Sequence, residues 1–199
     1  MTDIIIVHSK QGDASNHWYE WLASNLMLEG YNVTLFNLPV DENDHIDTWM
    51  SNMKNQICVT KYETFFVTHG FGTLAALKFI EKSQINTIQG LFSISGFMED
   101  VIPFVETNQI EDFHIDYENV KQKVEAFYGL CAKNDSYVSY KETKRLMDTL
   151  GGTCKVTEFG GHFMEDDGFT TFTQLQSKMQ GIMSCLLYTS PSPRDKRQS

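Results

Sequence analysis

Long apolar runs are missing from this chain. None approaches the roughly 18 consecutive apolar residues that a membrane-spanning helix needs. Positive charge is also in short supply: 16 Lys and Arg stand against 26 Asp and Glu, leaving a formal −10 at pH 7. An acidic surface argues against nucleic acid and anionic membrane as partners, because both require a basic patch. The four cysteines, Cys58, Cys131, Cys154 and Cys185, form no C-x-x-C pair, so a zinc or thioredoxin-type site has no support. Cys58, Cys131 and Cys154 read as core thiols in a reducing compartment rather than as a disulfide framework. The opening Met1-Thr2-Asp3-Ile4 lacks the basic segment of a secretory leader. A cytoplasmic location is therefore expected.

Proline is rare as well. Two of the four prolines, Pro191 and Pro193, fall within residues 185–199. That segment, beginning Cys185-Leu186-Leu187-Tyr188-Thr189-Ser190, shows no helical period. It resembles the translated read-through of a transposon-derived sequencing adapter, and such segments are set aside from fold reasoning. Residues 1–184 are then expected to form one domain. Residues 185–199 are expected to be a disordered, non-native tail, with the native C-terminus cut short by a few residues.

What remains is ordinary globular material: 41% hydrophobic and 21% charged residues over 199 positions, enough to bury one sizeable core. Asp3 to His8 is a continuous apolar run, as for a strand buried on both faces. Trp18, Trp21, Leu22, Leu26 and Leu28 recur at helical spacing up to Gly30, a C-cap residue. Tyr31–Phe36 alternates as a strand and stops before Pro39. Asp44–Ile57 reads as a helix with Ile46, Trp49, Met50 and Met53 on one face. Tyr62–Thr68 is a strand, and Leu74–Ile80 lies in a helix. Further strands are predicted at Thr87–Ile94, Val124–Leu130 and Thr153–Phe159, and helices at about Tyr140–Leu150 and Thr173–Met183. This alternation predicts an α/β fold: a three-layer sandwich of about six mostly parallel strands with helices on both faces. Right-handed crossovers bring the strand C-terminal ends to one rim, where ligands bind. The stretch from Phe97 to Lys123 breaks the alternation and is acidic, so it reads as a small cap or a solvated excursion.

Three rim loops carry the residue types of acyl-transfer chemistry. The first is Thr68-His69-Gly70-Phe71-Gly72, between a strand and a helix. That context matches a nucleophile elbow, G-x-S-x-G, with glycine where the serine belongs. The second, Lys133-Asn134-Asp135-Ser136, follows the fifth strand. The third, Gly160-Gly161-His162-Phe163, follows the sixth. Elbow, acid, histidine is the chain order of α/β-hydrolases. In that scheme His162 is the general base and Asp135 fixes its tautomer. The backbone N–H of Phe71, at a helix start, would supply one half of an oxyanion hole. A second N–H would come from the loop after the first strand, at Ser9-Lys10, taken here as Lys10. Trp18, Trp21 and Trp49 read as core residues. His8, His17, His45, His69 and His114 read as structural or solvated, with His69 shaping the pocket.

The chain resembles the small serine hydrolases of the retinoblastoma-binding protein 9 and YdeN type. The resemblance spans roughly residues 3 to 183, judged from element order. It is carried by His17-Trp18-Tyr19-Glu20-Trp21-Leu22, Asn37-Leu38-Pro39 and Ser93-Ile94-Ser95-Gly96-Phe97. More distinctive are Asn134-Asp135-Ser136-Tyr137-Val138 and Gly161-His162-Phe163 with Asp167-Gly168-Phe169-Thr170. It implies an α/β-hydrolase fold, hydrolysis of small esters or amides, no metal and no cofactor. It also assigns the family's serine to Gly70, with Thr68 in place of the usual first glycine.

Without a hydroxyl no acyl-enzyme can form at position 70. Three readings follow. The chain is a degenerate hydrolase that still binds a small ester or amide. Or it uses a displaced nucleophile, Ser9, Thr73 or Ser95, or a water activated by His162. Or the glycine is a sequence error, since one base separates the serine codons AGT and AGC from GGT and GGC. A non-enzymatic alternative is a protein-interaction module using the carboxylates of 99–118.

Overall fold

Alternate residues of the strands point to opposite layers, and this sorts the core into two parts. The computed structural model describes residues 2–38, 46–57, 63–84, 88–101 and 113–189. The expected helix start at Asp44, with His45, lies outside these residues, as do Pro39, Cys58, Tyr62, Thr87, residues 102–112 of the acidic excursion and residues 190–199.

Among the described residues six strands form one sheet: β1 (Asp3–Val7), β2 (Asn32–Phe36), β3 (Thr64–His69), β4 (Gly90–Ile94), β5 (Phe127–Ala132) and β6 (Thr153–Thr157). Their spatial order is β2-β1-β3-β4-β5-β6, and every neighbouring pair is parallel. β1, β3, β4 and β5 are almost wholly buried, which explains their unbroken apolar runs. Six α-helices among the described residues accompany them: α1 (Tyr19–Leu28), α2 (Ile46–Gln56), α3 (Phe71–Lys82), α4 (Tyr117–Lys123), α5 (Tyr140–Leu150) and α6 (Thr173–Thr189). Ile5, Val7 and Phe66 pack with Trp49 of α2, Leu74 and Leu77 of α3, Val120 of α4 and Leu146 of α5. Ile4, Ile6, Phe65 and Val67 pack on the other face with Trp18, Leu22 and Leu26, and with Leu175, Met179 and Met183 of α6. The result is the three-layer α/β sandwich that the alternation predicts.

Two elements differ from expectation. The later part of the supposed excursion contains α4, whose Tyr117 and Val120 are buried in the core. Only these two apolar residues, one helical turn apart, mark it in an acidic stretch. Asp116 caps it, accepting the N–H of Asn119 at 3.0 Å. The final helix runs six residues past Met183. Cys185, Leu186 and Leu187 therefore belong to a regular element, and Leu186 and Leu187 pack on the second cluster. They extend the stripe of Met179 and Met183 at helical spacing, a period the composition change at 185 masks.

Cys131 is buried and Cys154 half-buried, on adjacent strands with their Sγ atoms 3.7 Å apart, and Cys185 is exposed. No helix among the described residues is long and apolar enough to cross a membrane.

Candidate active site

β3 ends at His69 and α3 begins at Phe71, so Gly70 alone makes the turn. Its backbone sits at φ +49°, ψ −121°, a region that costs a side-chain-bearing residue about 1–3 kcal/mol. The Gly70 N–H continues the ladder to Ile94 O at 2.9 Å, and its carbonyl accepts Thr73 N–H at 3.1 Å to open the helix. Gly72 lets the helix come this close. A Cβ there would lie 2.3 Å from the His8 carbonyl oxygen and 2.8 Å from that of Val7.

The rim then brings in residues from four other strands. His162 Nδ1 lies 2.9 Å from Asp135 Oδ2, with both side chains essentially inaccessible to solvent. A carboxylate only accepts, so Nδ1 carries the hydrogen, and in the neutral ring Nε2 presents its lone pair. Asp135 is fully engaged. Oδ1 accepts the N–H groups of Tyr137 (2.8 Å) and Val138 (2.9 Å), and Oδ2 also accepts the Ser95 hydroxyl at 2.8 Å. A Cβ built on Gly70 would lie 3.0 Å from His162 Nε2 and 3.0 Å from Ser9 Oγ. The structure thus brings Gly70, Asp135 and His162 together.

Other side chains hold the histidine loop. Asp167 Oδ2 accepts the N–H of His162 at 2.9 Å and that of Met164 at 3.1 Å. Asn134 Oδ1 accepts the N–H of Gly161 at 3.0 Å, tying the acid loop to the base loop. Trp18 donates its indole N–H to Phe163 O at 3.0 Å. His69 Nε2 donates to the His162 carbonyl at 2.7 Å. Burial holds His69 well below its ordinary pKa, with the neighbouring His162 adding to the effect. The ring is therefore neutral, and its Nδ1 accepts the Tyr19 hydroxyl at 2.5 Å. The Tyr19 oxygen in turn accepts the Ser9 N–H at 3.1 Å. The tyrosine pKa is raised, chiefly by burial.

The loop after β1 is fixed from its other side. His8 donates from Nδ1 to Ser9 O at 2.6 Å and accepts the Leu38 N–H at 2.9 Å, and burial lowers its pKa. The N–H of Ser9 is committed to Tyr19. The side-chain ammonium of Lys10 lies 4.7 Å above the Phe71 ring.

Of the alternative nucleophiles, Thr73 Oγ1 is shared with the hydroxyls of Thr68 (2.9 Å) and Ser93 (3.1 Å), and Ser95 serves Asp135. Only Ser9 borders the space beside Gly70. Tyr137 covers the histidine from outside, its ring 5.2 Å from the imidazole and 40% exposed. A cleft of about 590 Å³ lies elsewhere, between Met50 and Lys54 of α2 and Phe79 and Lys82 of α3, and contains none of these residues. Sequence reasoning missed the roles of Ser95, Asn134, Asp167 and Tyr19. All four stand inside the motifs that carry the resemblance, the one signal pointing to them.

A parallel sheet in this order, with a strand–turn–helix elbow and an acid–histidine pair on the following rim loops, defines an α/β-hydrolase fold. The chain belongs to the serine hydrolase family, whose model matches residues 4–181. YdeN of Bacillus subtilis (strain 168) is 24% identical over 169 residues, covering 84% of this chain and 89% of that one. The crystal structure of the B. subtilis ydeN gene product superposes with a TM-score of 0.84 at 22% identity, over 92% of this chain and 100% of that one. A YdeN-like protein of Pectobacterium atrosepticum gives 0.66 at 13% identity, over 94% and 92%.

Proposed function

We propose that this serine hydrolase-family protein takes a small ester or amide into the site beside Gly70 but forms no acyl-enzyme, because the nucleophile position has no hydroxyl. The supporting observation is the geometry at position 70. Gly70 holds the elbow conformation, and any Cβ there would face His162 Nε2 at 3.0 Å. Asp135 keeps the imidazole in the tautomer a general base needs. The backbone N–H groups of Phe71 and Lys10 are the candidate oxyanion donors, one at a helix start whose dipole favours negative charge. The chemistry needs no cofactor, and the protein acts in the cytoplasm. The interaction-module reading is less favoured, because Glu99 accepts the Ile115 N–H at 3.2 Å and Asp100 pairs with Arg145 at 2.6 Å. Those carboxylates already have partners within the fold.

The test compares the protein with its Gly70→Ser variant, using a fluorophosphonate probe and short-chain p-nitrophenyl esters. Expected are no covalent labelling of the parent, labelling of the variant at position 70, and a turnover ratio on the order of 10⁶. Labelling of the parent at any mapped residue defeats the reading.

A further inference from the structure

His162 offers a base to a nucleophile the chain does not carry, and the surroundings of Gly70 indicate what takes its place. Nε2 of His162 has no hydrogen-bond partner among the described residues, although the residue is 1% exposed. A buried lone pair left in this state is costly, so a donor is required there. Nε2 borders the space a side chain at 70 would fill, and so does Ser9 Oγ. The Ser9 hydroxyl gives its own hydrogen to Gln11 Oε1 and accepts the Gln11 N–H at 3.3 Å. Its remaining capacity is as an acceptor, which suits it to anchor a donor rather than to attack. Two acceptors, each 3.0 Å from the notch where a Cβ would sit, meet the two-partner minimum for a bound water.

We infer that a water molecule lodged beside Gly70, between His162 Nε2 and Ser9 Oγ, is the reacting nucleophile, and that the chain hydrolyses activated esters directly. This rests on the reading that Asp135 and His162 keep their acid–base roles. The water oxygen bonds to the ester carbonyl carbon while its proton passes to Nε2. The tetrahedral adduct then collapses and the bond to the alcohol oxygen breaks. The departing alkoxide takes the proton back from Nε2. Ester and water become acid and alcohol, and the histidine is regenerated. No bond to the protein forms at any stage.

The experiment measures hydrolysis of p-nitrophenyl acetate by the parent and by Gly70→Ala, Gly70→Ser, His162→Asn and Ser9→Ala. Alanine fills the notch with a methyl group and supplies no hydroxyl. The expectation is slow parent turnover without a burst of p-nitrophenol, cut roughly 100-fold by Gly70→Ala and by His162→Asn, the scale of general-base assistance. Ser9→Ala removes one of the two anchors of the water and lowers the rate about tenfold, as for the loss of one hydrogen bond, and leaves position 70 untouched. A Gly70→Ala variant as fast as the parent overturns the inference. If that variant does not fold, unchanged rates in both His162→Asn and Ser9→Ala overturn it equally. The two readings separate through Gly70→Ser. If that variant is labelled by the fluorophosphonate while Gly70→Ala matches the parent, the water step is wrong and the Asp135–His162 pair stands. If it folds but is neither labelled nor active, the pair itself has failed and the inference falls with it.

Discussion

Tyr19 donates its phenolic hydroxyl to Nδ1 of His69 across 2.5 Å, joining two residues fifty positions apart. Through this contact the N–H of Ser9, at the end of β1, is linked to the carbonyl of His162, beyond β6. Tyr19→Phe keeps the ring but leaves the Ser9 N–H and His69 Nδ1 buried without this partner. The expected cost is roughly 1–3 kcal/mol per group left unsatisfied, read as a lower urea midpoint at unchanged slope. A variant as stable as the parent means the link contributes nothing.

Two of the buried histidines, His8 and His69, set an acid limit. A histidine in the unfolded chain titrates near 6.5. Burial lowers His8 below that value and holds His69 well below it. Between the folded and unfolded values the unfolded chain binds more protons, so stability rises with pH. Their contribution is complete above about pH 6.5 and is lost as the pH falls beneath it. Thermal melts between pH 5 and 8 should show this decline, and His69→Gln, which cannot protonate, should flatten it. An equally steep decline in that variant rules His69 out as a source.

The two elbow glycines should respond differently. At Gly72 a Cβ meets backbone oxygens, at 2.3 and 2.8 Å, which cannot move without shifting β1 against α3. Gly72→Ala should cost about 1–3 kcal/mol or more. At Gly70 the atoms met are the ends of two side chains, each at 3.0 Å. Gly70→Ser should therefore cost little beyond its backbone conformation, about 1–3 kcal/mol. Denaturant unfolding of both variants checks the order, and a Gly70→Ser loss larger than that of Gly72→Ala contradicts it.

Asp167 should act on rate through the histidine. Its carboxylate holds the N–H groups of His162 and Met164, so Asp167→Ala loosens the loop that aims the imidazole. In the Gly70→Ser background kcat should fall between roughly tenfold and a hundredfold with KM nearly unchanged, as for a displacement of about 1 Å at a reacting group. A rise in KM alone would place Asp167 with substrate binding instead.

The layer order and the positions of Gly70, Asp135 and His162 were legible because each rests on local pattern. Buried strands announce themselves as apolar runs, and the three rim residues follow in the chain order of one reaction scheme. The supporting contacts were not legible in this way. Ser95 reaches Asp135 across 40 positions and His69 reaches His162 across 93. Only the folded sheet brings such pairs together, and a lone Ser or His carries no periodicity of its own. α4 raises no helical period of its own, because two buried residues, Tyr117 and Val120, are too few among so many carboxylates. α6 was cut short because the change in composition at Cys185 outweighed a continuing stripe.

Trp18 and Trp49 are both fully buried, yet they belong to different cores, one on each side of the sheet. Indole emission therefore provides a separate optical reporter for each layer. With Trp21 replaced by Phe, single-tryptophan versions would show whether the α1–α6 layer and the α2–α5 layer melt together or in sequence. The signal from Trp18 would also register any loosening of the histidine loop, since its N–H is bonded to Phe163.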